Sequence, residues 1–117
     1  MTDFFRRWWR RSGAPAPAVD AVLRRVQELL ARHREQELQQ PWPDMPEALA
    51  ELAVIEDMAV RLAAGSADGA ALLRALEATL AARLENYASR AEYSSDKGRL
   101  GSVLVDVSAL RDELAPR

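Results

Sequence analysis

Apolar residues recur every three or four positions along most of the chain, which is the period of an amphipathic α-helix. The pattern is clearest in residues 19–39, where the other face carries arginine, glutamine and glutamate. The apolar positions of this segment are Val19, Val22, Leu23, Val26, Leu29 and Leu30. We therefore predict a first long helix from about Val19 to Gln39.

A proline-rich segment, residues 41–46, ends this helix and also carries the signal that starts the next one. Asp44 is followed three residues later by Glu47, which is the spacing of a capping box. The apolar positions that follow are Leu49, Leu52, Val54, Ile55, Met58, Ala59 and Leu62. Because they cover more than one stripe, the second helix is expected to contact neighbours on two sides.

Two further helical segments follow the turn signal in residues 65–69. The third repeats apolar residues at helical spacing, and we predict that it is the longest helix and reaches Ser94. Its repeating positions are Leu73, Leu76, Leu80, Leu84, Tyr87 and Ala91. Residues 96–101 include two glycines and predict a connection, after which Ser102 would cap a last helix from Val103 to about Leu114.

The apolar pattern of the last segment, which begins at Val103, fits both a strand and a helix. Val103, Val105 and Val107 alternate as in a strand, but a lone strand would have no sheet partner elsewhere in the chain. The positions of a helical stripe are also present: Val103, Val107, Leu110 and Leu114. We predict a helix, and hence an all-α fold. Residues 19–117 should form a small bundle of three principal antiparallel helices and a shorter C-terminal one.

The first eleven residues form a basic, aromatic arm, which an alanine- and proline-containing linker, residues 12–18, joins to the bundle. In a helix, the aromatic residues of the arm lie on one face of roughly 140°, and the arginines lie on the opposite face. The aromatic residues are Phe4, Phe5, Trp8 and Trp9, and the arginines are Arg6, Arg7, Arg10 and Arg11. No other segment shows such a contrast between its faces.

The composition narrows the class of protein. A chain of 117 residues suits one domain, and with no cysteine it has neither disulfides nor a thiolate site, which fits the reducing cytoplasm. No apolar stretch approaches the roughly 20 residues of a membrane-spanning helix, and no apolar core of a signal peptide follows the basic start. The abundance of alanine, leucine and arginine over a single lysine is typical of GC-rich bacterial genomes.

The charge is unevenly distributed. Residues 1–12 carry a net charge of +3, whereas the remaining 105 residues carry −5. Nucleic-acid binding depends on clustered cations, so the acidic body is a poor nucleic-acid surface and only the arm could supply such contacts.

Candidate chemistry in the bundle is sparse. His33 is the only histidine, and we predict a partly exposed surface residue rather than a zinc ligand. Glu51, Glu56 and Asp57 could serve as acid, base or cation ligands, but a solvated or ion-paired face is the simpler interpretation. No Glu-x-x-His pair is present to build a di-metal bundle site, and we predict neither cofactor nor metal.

Other polar and aromatic residues receive structural interpretations. Residues 97–101 could form an anion-binding loop, but a plain helix connection is simpler. Tyr87 and Tyr93 are expected at the core edge and the surface, and Trp42 either covers the core or contacts a partner. A mixed-charge, solvated exterior is predicted for the third helix at Arg74, Glu77, Arg83, Glu85, Arg90 and Glu92. A pocket assembled from distant residues, such as Glu56 with Arg83, would leave no signal in the sequence pattern.

The arm has four interpretations. It docks on its own bundle, inserts into a groove of another protein, lies on an anionic membrane, or binds unpaired nucleic acid. We favour a cytoplasmic, non-enzymatic adaptor or accessory subunit that binds a protein through residues 4–11 and Trp42. The alternative from another class is a peripheral membrane protein, held reversibly by the arm.

Overall fold

The described part of the chain is a bundle of four α-helices. A computed structural model describes residues 17–39, 43, 45–88 and 94–114, and no strand occurs among them. The helices are α1 (Val19–Gln39), α2 (Met45–Ala64), α3 (Gly69–Ala88) and α4 (Ser94–Leu114). The predicted all-α bundle is confirmed, and α1 has the predicted bounds. Pro17 and Ala18, at the end of the predicted linker, are not helical.

Contacts between side chains show that neighbouring helices run antiparallel. Glu51, early in α2, pairs with Arg83, late in α3, and Glu37, late in α1, pairs with Arg99, early in α4. Short connections between successive helices favour the same arrangement. Every pair of the four helices is in contact. The chain therefore runs up, down, up and down around one core.

The core is aliphatic and receives side chains from all four helices. Its buried members are Val22, Val26, Leu29, Leu30, Leu52, Ile55, Ala59, Leu72, Leu73, Leu76, Leu80, Leu100, Val103, Val107 and Leu110. The buried residues of α1 recur at the spacing of three and four that the sequence shows, because only one stripe of this helix faces the other helices.

The start of α3 is held by a cap and by a close approach to the start of α1. Asp68 Oδ1 accepts a hydrogen bond of 2.9 Å from the backbone N–H of Ala71, which makes Asp68 the N-cap. Gly69 N–H donates to the carbonyl oxygen of Pro17 over 2.7 Å. A Cβ on Gly69 would lie 2.3 Å from Val22 Cγ2, so glycine is needed here for space. This contact fixes the point at which residues 1–16 join the bundle.

The second half of the chain differs from the prediction in where its helices divide. Ser94 begins α4, so α3 does not extend to it, and the predicted connection at residues 96–101 is wrong. Gly98 and Gly101 lie inside α4, which has 21 residues, as many as α1. The C-terminal helix is therefore not a short one. Burial of Leu100 and its neighbours in the core offsets a helix penalty of about 1 kcal/mol per glycine.

The same finding settles the ambiguous segment 103–107. It is helical, as predicted, and Val103 and Val107 are buried in the core. Val105, which would belong to the alternating strand pattern, is exposed instead.

Candidate functional site in the groove between α1 and α4

Helices α1 and α4 leave a groove of about 440 Å³ between them. Leu29 and Leu110 form an apolar floor, and the exposed Ala109 stands beside it. The polar side chains of the groove are Arg25, Arg32, His33, Gln36, Asp106 and Glu113. Six of the nine lining residues are polar, so the groove is a mainly polar surface with a small apolar floor.

His33 forms one wall of this groove and is only 6% exposed, so the prediction of a partly exposed surface residue is wrong. Both ring nitrogens have partners on α4. Arg99 Nη1 lies 2.8 Å from His33 Nδ1, and Asp106 Oδ2 lies 2.5 Å from His33 Nε2. These two hydrogen bonds offset the cost of burying the polar ring.

The partners also determine which nitrogen of His33 carries the proton. A guanidinium group has only donors, so Nδ1 must accept the hydrogen bond from Arg99. Nε2 then carries the proton and donates a hydrogen bond to the Asp106 carboxylate. The neutral imidazole is held in one tautomer with both nitrogens engaged. Its role in this arrangement is to join α1 to α4.

Arg99 extends the network to a buried carboxylate. Its Nη2 donates to Glu37 Oε1, and Glu37 is as well buried as His33. Burial lowers the pKa of Arg99 below its usual value, but a guanidinium stays charged. In the described part of the chain, Arg99 Nε has no hydrogen-bond partner. Arg99 thus lies in a helix and forms an ion pair. Neither interpretation of residues 97–101 from the sequence, an anion-binding loop or a plain helix connection, is correct for it.

A salt bridge crosses the groove at the end nearest Pro17. Arg25 Nη2 donates to Glu113 Oε2, and both side chains are about half exposed. Exposed pairs of this kind contribute less than about 1 kcal/mol, so water or a bound group can replace the contact. The groove therefore has one fixed wall at His33, which Arg99 and Asp106 hold in place, and one end that can be opened at little cost.

A second polar cluster joins α2 to α3. Glu51 is 5% exposed and binds Arg83 through two hydrogen bonds, of 2.5 Å from Nε and 2.9 Å from Nη2. The Tyr87 hydroxyl donates to the same carboxylate over 3.0 Å, and the Arg83 guanidinium lies 5.4 Å from the Tyr87 ring centroid. The hydrogen bond to Glu51 raises the pKa of Arg83. This arrangement neutralises a carboxylate inside the bundle.

The three α2 carboxylates considered in the sequence analysis lie in different environments. Glu51 and Asp57 are ion-paired, Asp57 with Arg61 over 3.1 Å, whereas Glu56 is exposed. Arg83 pairs with Glu51, not with Glu56, the residue that the sequence analysis named beside it as an example of a pocket built from distant residues. Tyr87 packs at the core edge as predicted.

A third cluster joins α3 to α4. Arg111 Nη1 donates to Glu77 Oε2 over 3.0 Å, and the Ser108 hydroxyl donates to the same oxygen over 3.3 Å. Glu77 and Arg83 are both partly buried, so the prediction of a solvated exterior is wrong for these two residues. They are shielded because each side chain reaches across to the neighbouring helix.

The remaining predicted site residues lie outside the described part of the chain. These are the arm, Phe4, Phe5, Arg6, Arg7, Trp8, Trp9, Arg10 and Arg11, together with Trp42, Tyr93 and the Asp44 cap. Within residues 17–39, 45–88 and 94–114, no group of three or more histidine, aspartate or glutamate residues could hold a metal ion.

Sequence reasoning missed the network around His33, although one signal pointed to it. His33 and Glu37 are four residues apart on α1, so they share a face with Leu29 and Leu30. Two polar residues that continue an apolar stripe indicate a buried polar pair. The partner residues on α4 gave no comparable signal.

None of the helices in the described part of the chain is both long enough and apolar enough to cross a membrane. Comparisons with protein-family models, curated proteins and solved structures found no match.

Proposed function

We propose that the protein is a non-enzymatic adaptor or accessory subunit that binds another protein through its N-terminal arm and its bundle surface. The observation that carries the proposal is the alternation of paired aromatics and paired arginines in residues 4–11. Aromatic and arginine side chains dominate the energetics of protein interfaces. An amphipathic helix bearing both is the usual ligand of a hydrophobic groove.

The structure of the bundle supports this proposal, because it gives the arm a firm point of attachment. The hydrogen bond from Gly69 to Pro17 ties the root of the arm to the starts of α1 and α3. The ionic clusters described above join α1 to α4, α2 to α3 and α3 to α4, so the buried charges hold helices together. A firm body with an attached interaction segment suits a subunit of a larger assembly.

The segments that carry the predicted partner contacts join the bundle at opposite ends of α1. Residue 17 precedes α1 and Trp42 follows it, and a 21-residue helix is about 30 Å long. A partner that binds the arm where it leaves the bundle and also binds the Trp42 segment must therefore cover the length of the bundle. A partner that binds the arm alone can be much smaller.

The test is capture from a lysate of the source cells, followed by reconstitution with the purified partner. Replacement of Phe4, Phe5, Trp8 and Trp9 by alanine should weaken binding by more than about a hundredfold, since each lost anchor costs 1 kcal/mol or more. Circular dichroism and urea unfolding should show an unchanged bundle. Undiminished binding by the alanine variant would refute the proposal.

A peripheral membrane protein is the second candidate, and the four arginines of the arm favour it. Each cation near an anionic bilayer contributes about 1 kcal/mol, while the aromatic residues suit the headgroup boundary. Reversing Arg6, Arg7, Arg10 and Arg11 to glutamate should release the protein from anionic vesicles. Binding that ignores lipid charge would argue against this candidate.

A further inference from the structure

We propose that the groove between α1 and α4 is a docking site for the protein's own N-terminal arm, residues 1–11. The first support is the match in length. Along α1 the groove extends from Arg25 to Gln36, which is about 16 Å of helix. Eleven residues in helical form are also about 16 Å long, so the arm would fill the groove from end to end.

The second support is the position from which the arm departs. Pro17 is fixed at the start of the bundle by Gly69, and Arg25 lies about 12 Å further along α1. Residues 12–16, when extended, span up to about 17 Å. The linker therefore reaches the end of the groove at Arg25 and Glu113. From there the arm would run antiparallel to α1, as expected for helices joined by a short connection.

The third support is the chemistry of the two surfaces. The aromatic face of the arm would contact the small apolar surface that Leu29, Ala109 and Leu110 leave in the groove. Asp106 is 47% exposed and Glu113 is about half exposed, so both can accept hydrogen bonds from arginines of the arm. The exposed Arg32 is placed to stack on an indole. The net charge of +3 on residues 1–12 also opposes the −5 of the rest of the chain.

Docking in the groove goes beyond the proposed function, because it gives the arm a place when no partner is bound. A protein that takes the arm would first have to displace it from the groove. The docked state is thus an autoinhibited state, and its test is independent of any partner.

Tryptophan fluorescence of the full chain tests this proposal directly. The chain has three tryptophans, so Trp42→Phe leaves only those of the arm as reporters. The expected result is a blue-shifted emission and protection from acrylamide, relative to a peptide of residues 1–16. In this background, Ala109→Arg should obstruct the groove and restore the emission of the free peptide. Ala53→Arg, at an exposed position of α2, is the matched control and should change nothing.

A second groove variant, Gln36→Arg, approaches the site from α1 and should release the arm as Ala109→Arg does. Urea unfolding of each variant establishes that the bundle remains intact. Emission like that of the free peptide before any groove substitution would overturn the proposal, as would release by Ala53→Arg instead. Loss of the blue shift on dilution would also overturn it, because the arm would then occupy the groove of a second copy.

Discussion

Replacement of Arg83 by methionine should destabilise the bundle by about 3 kcal/mol. The Glu51 carboxylate would stay buried but lose two hydrogen bonds and its counter-charge. Breaking a buried ion pair costs roughly 3–5 kcal/mol. The lower end applies, because the Arg83 side chain is 31% exposed to water and Tyr87 still donates to the carboxylate.

The double substitution Glu51→Leu with Arg83→Met separates the burial of a lone charge from the loss of packing. It removes both charges and leaves apolar side chains between α2 and α3. Replacing a buried pair in this way is often neutral or stabilising, so we expect the double variant to lie within about 1 kcal/mol of the parent. The two substitutions together should therefore do less harm than Arg83→Met alone.

Urea unfolding, followed by circular dichroism at neutral pH, is the appropriate assay. At a slope of about 1.5 kcal/mol per M, the Arg83→Met variant should lose about 2 M in its midpoint. Arg61→Met is the matched control, since Arg61 pairs with Asp57 on the exposed face of α2 and should contribute at most about 0.5 kcal/mol. Equal effects at positions 83 and 61 would refute the reasoning. A double variant no more stable than Arg83→Met would also refute it.

Three further predictions concern two glycines, a helix cap and the groove wall. Gly69→Ala should lower the free energy of unfolding by about 2 kcal/mol through overpacking. Gly101→Ala, with open space beside it, should raise that free energy by about 1 kcal/mol. Calorimetric shifts of the melting temperature in the same direction for both variants would contradict this. Asp68→Ala should cost about 1 kcal/mol in urea unfolding through the lost N-cap, and an unchanged midpoint would exclude that role. Nitrogen-15 NMR of the neutral His33 ring should find Nε2 protonated and Nδ1 unprotonated, and a protonated Nδ1 would be incompatible with the hydrogen bond from Arg99.

The sequence was most informative where local signals and packing agree. Residues 19–39 have a continuous apolar stripe between a proline-containing start and a proline-rich end, and α1 has the predicted bounds. In α4 the signals conflict, because Gly98 and Gly101 disfavour a helix locally. The apolar spacing nevertheless begins at Leu100 and continues through Val103, so the stripe was present before the predicted start.

The polar network could not be predicted to the same extent, because its partners are distant in sequence. His33 and Asp106 are 73 positions apart, and Glu51 and Arg83 are 32 apart. Choosing among the chain's many arginines and carboxylates requires the order and direction of the helices. The groove is likewise a product of how α1 and α4 pack, which the amphipathic pattern of either helix does not contain.

The cross-helix ion pairs also bear on the register of the bundle. Aliphatic side chains pack almost as well after a slide of one helical turn, about 5.4 Å, because leucine can replace leucine. Such a slide would carry Arg83 away from Glu51 and Arg99 away from Glu37, leaving two carboxylates buried without cations. We therefore expect these pairs to select one alignment of the helices, so that their joint replacement by apolar residues yields a chain that is stable but no longer uniquely packed.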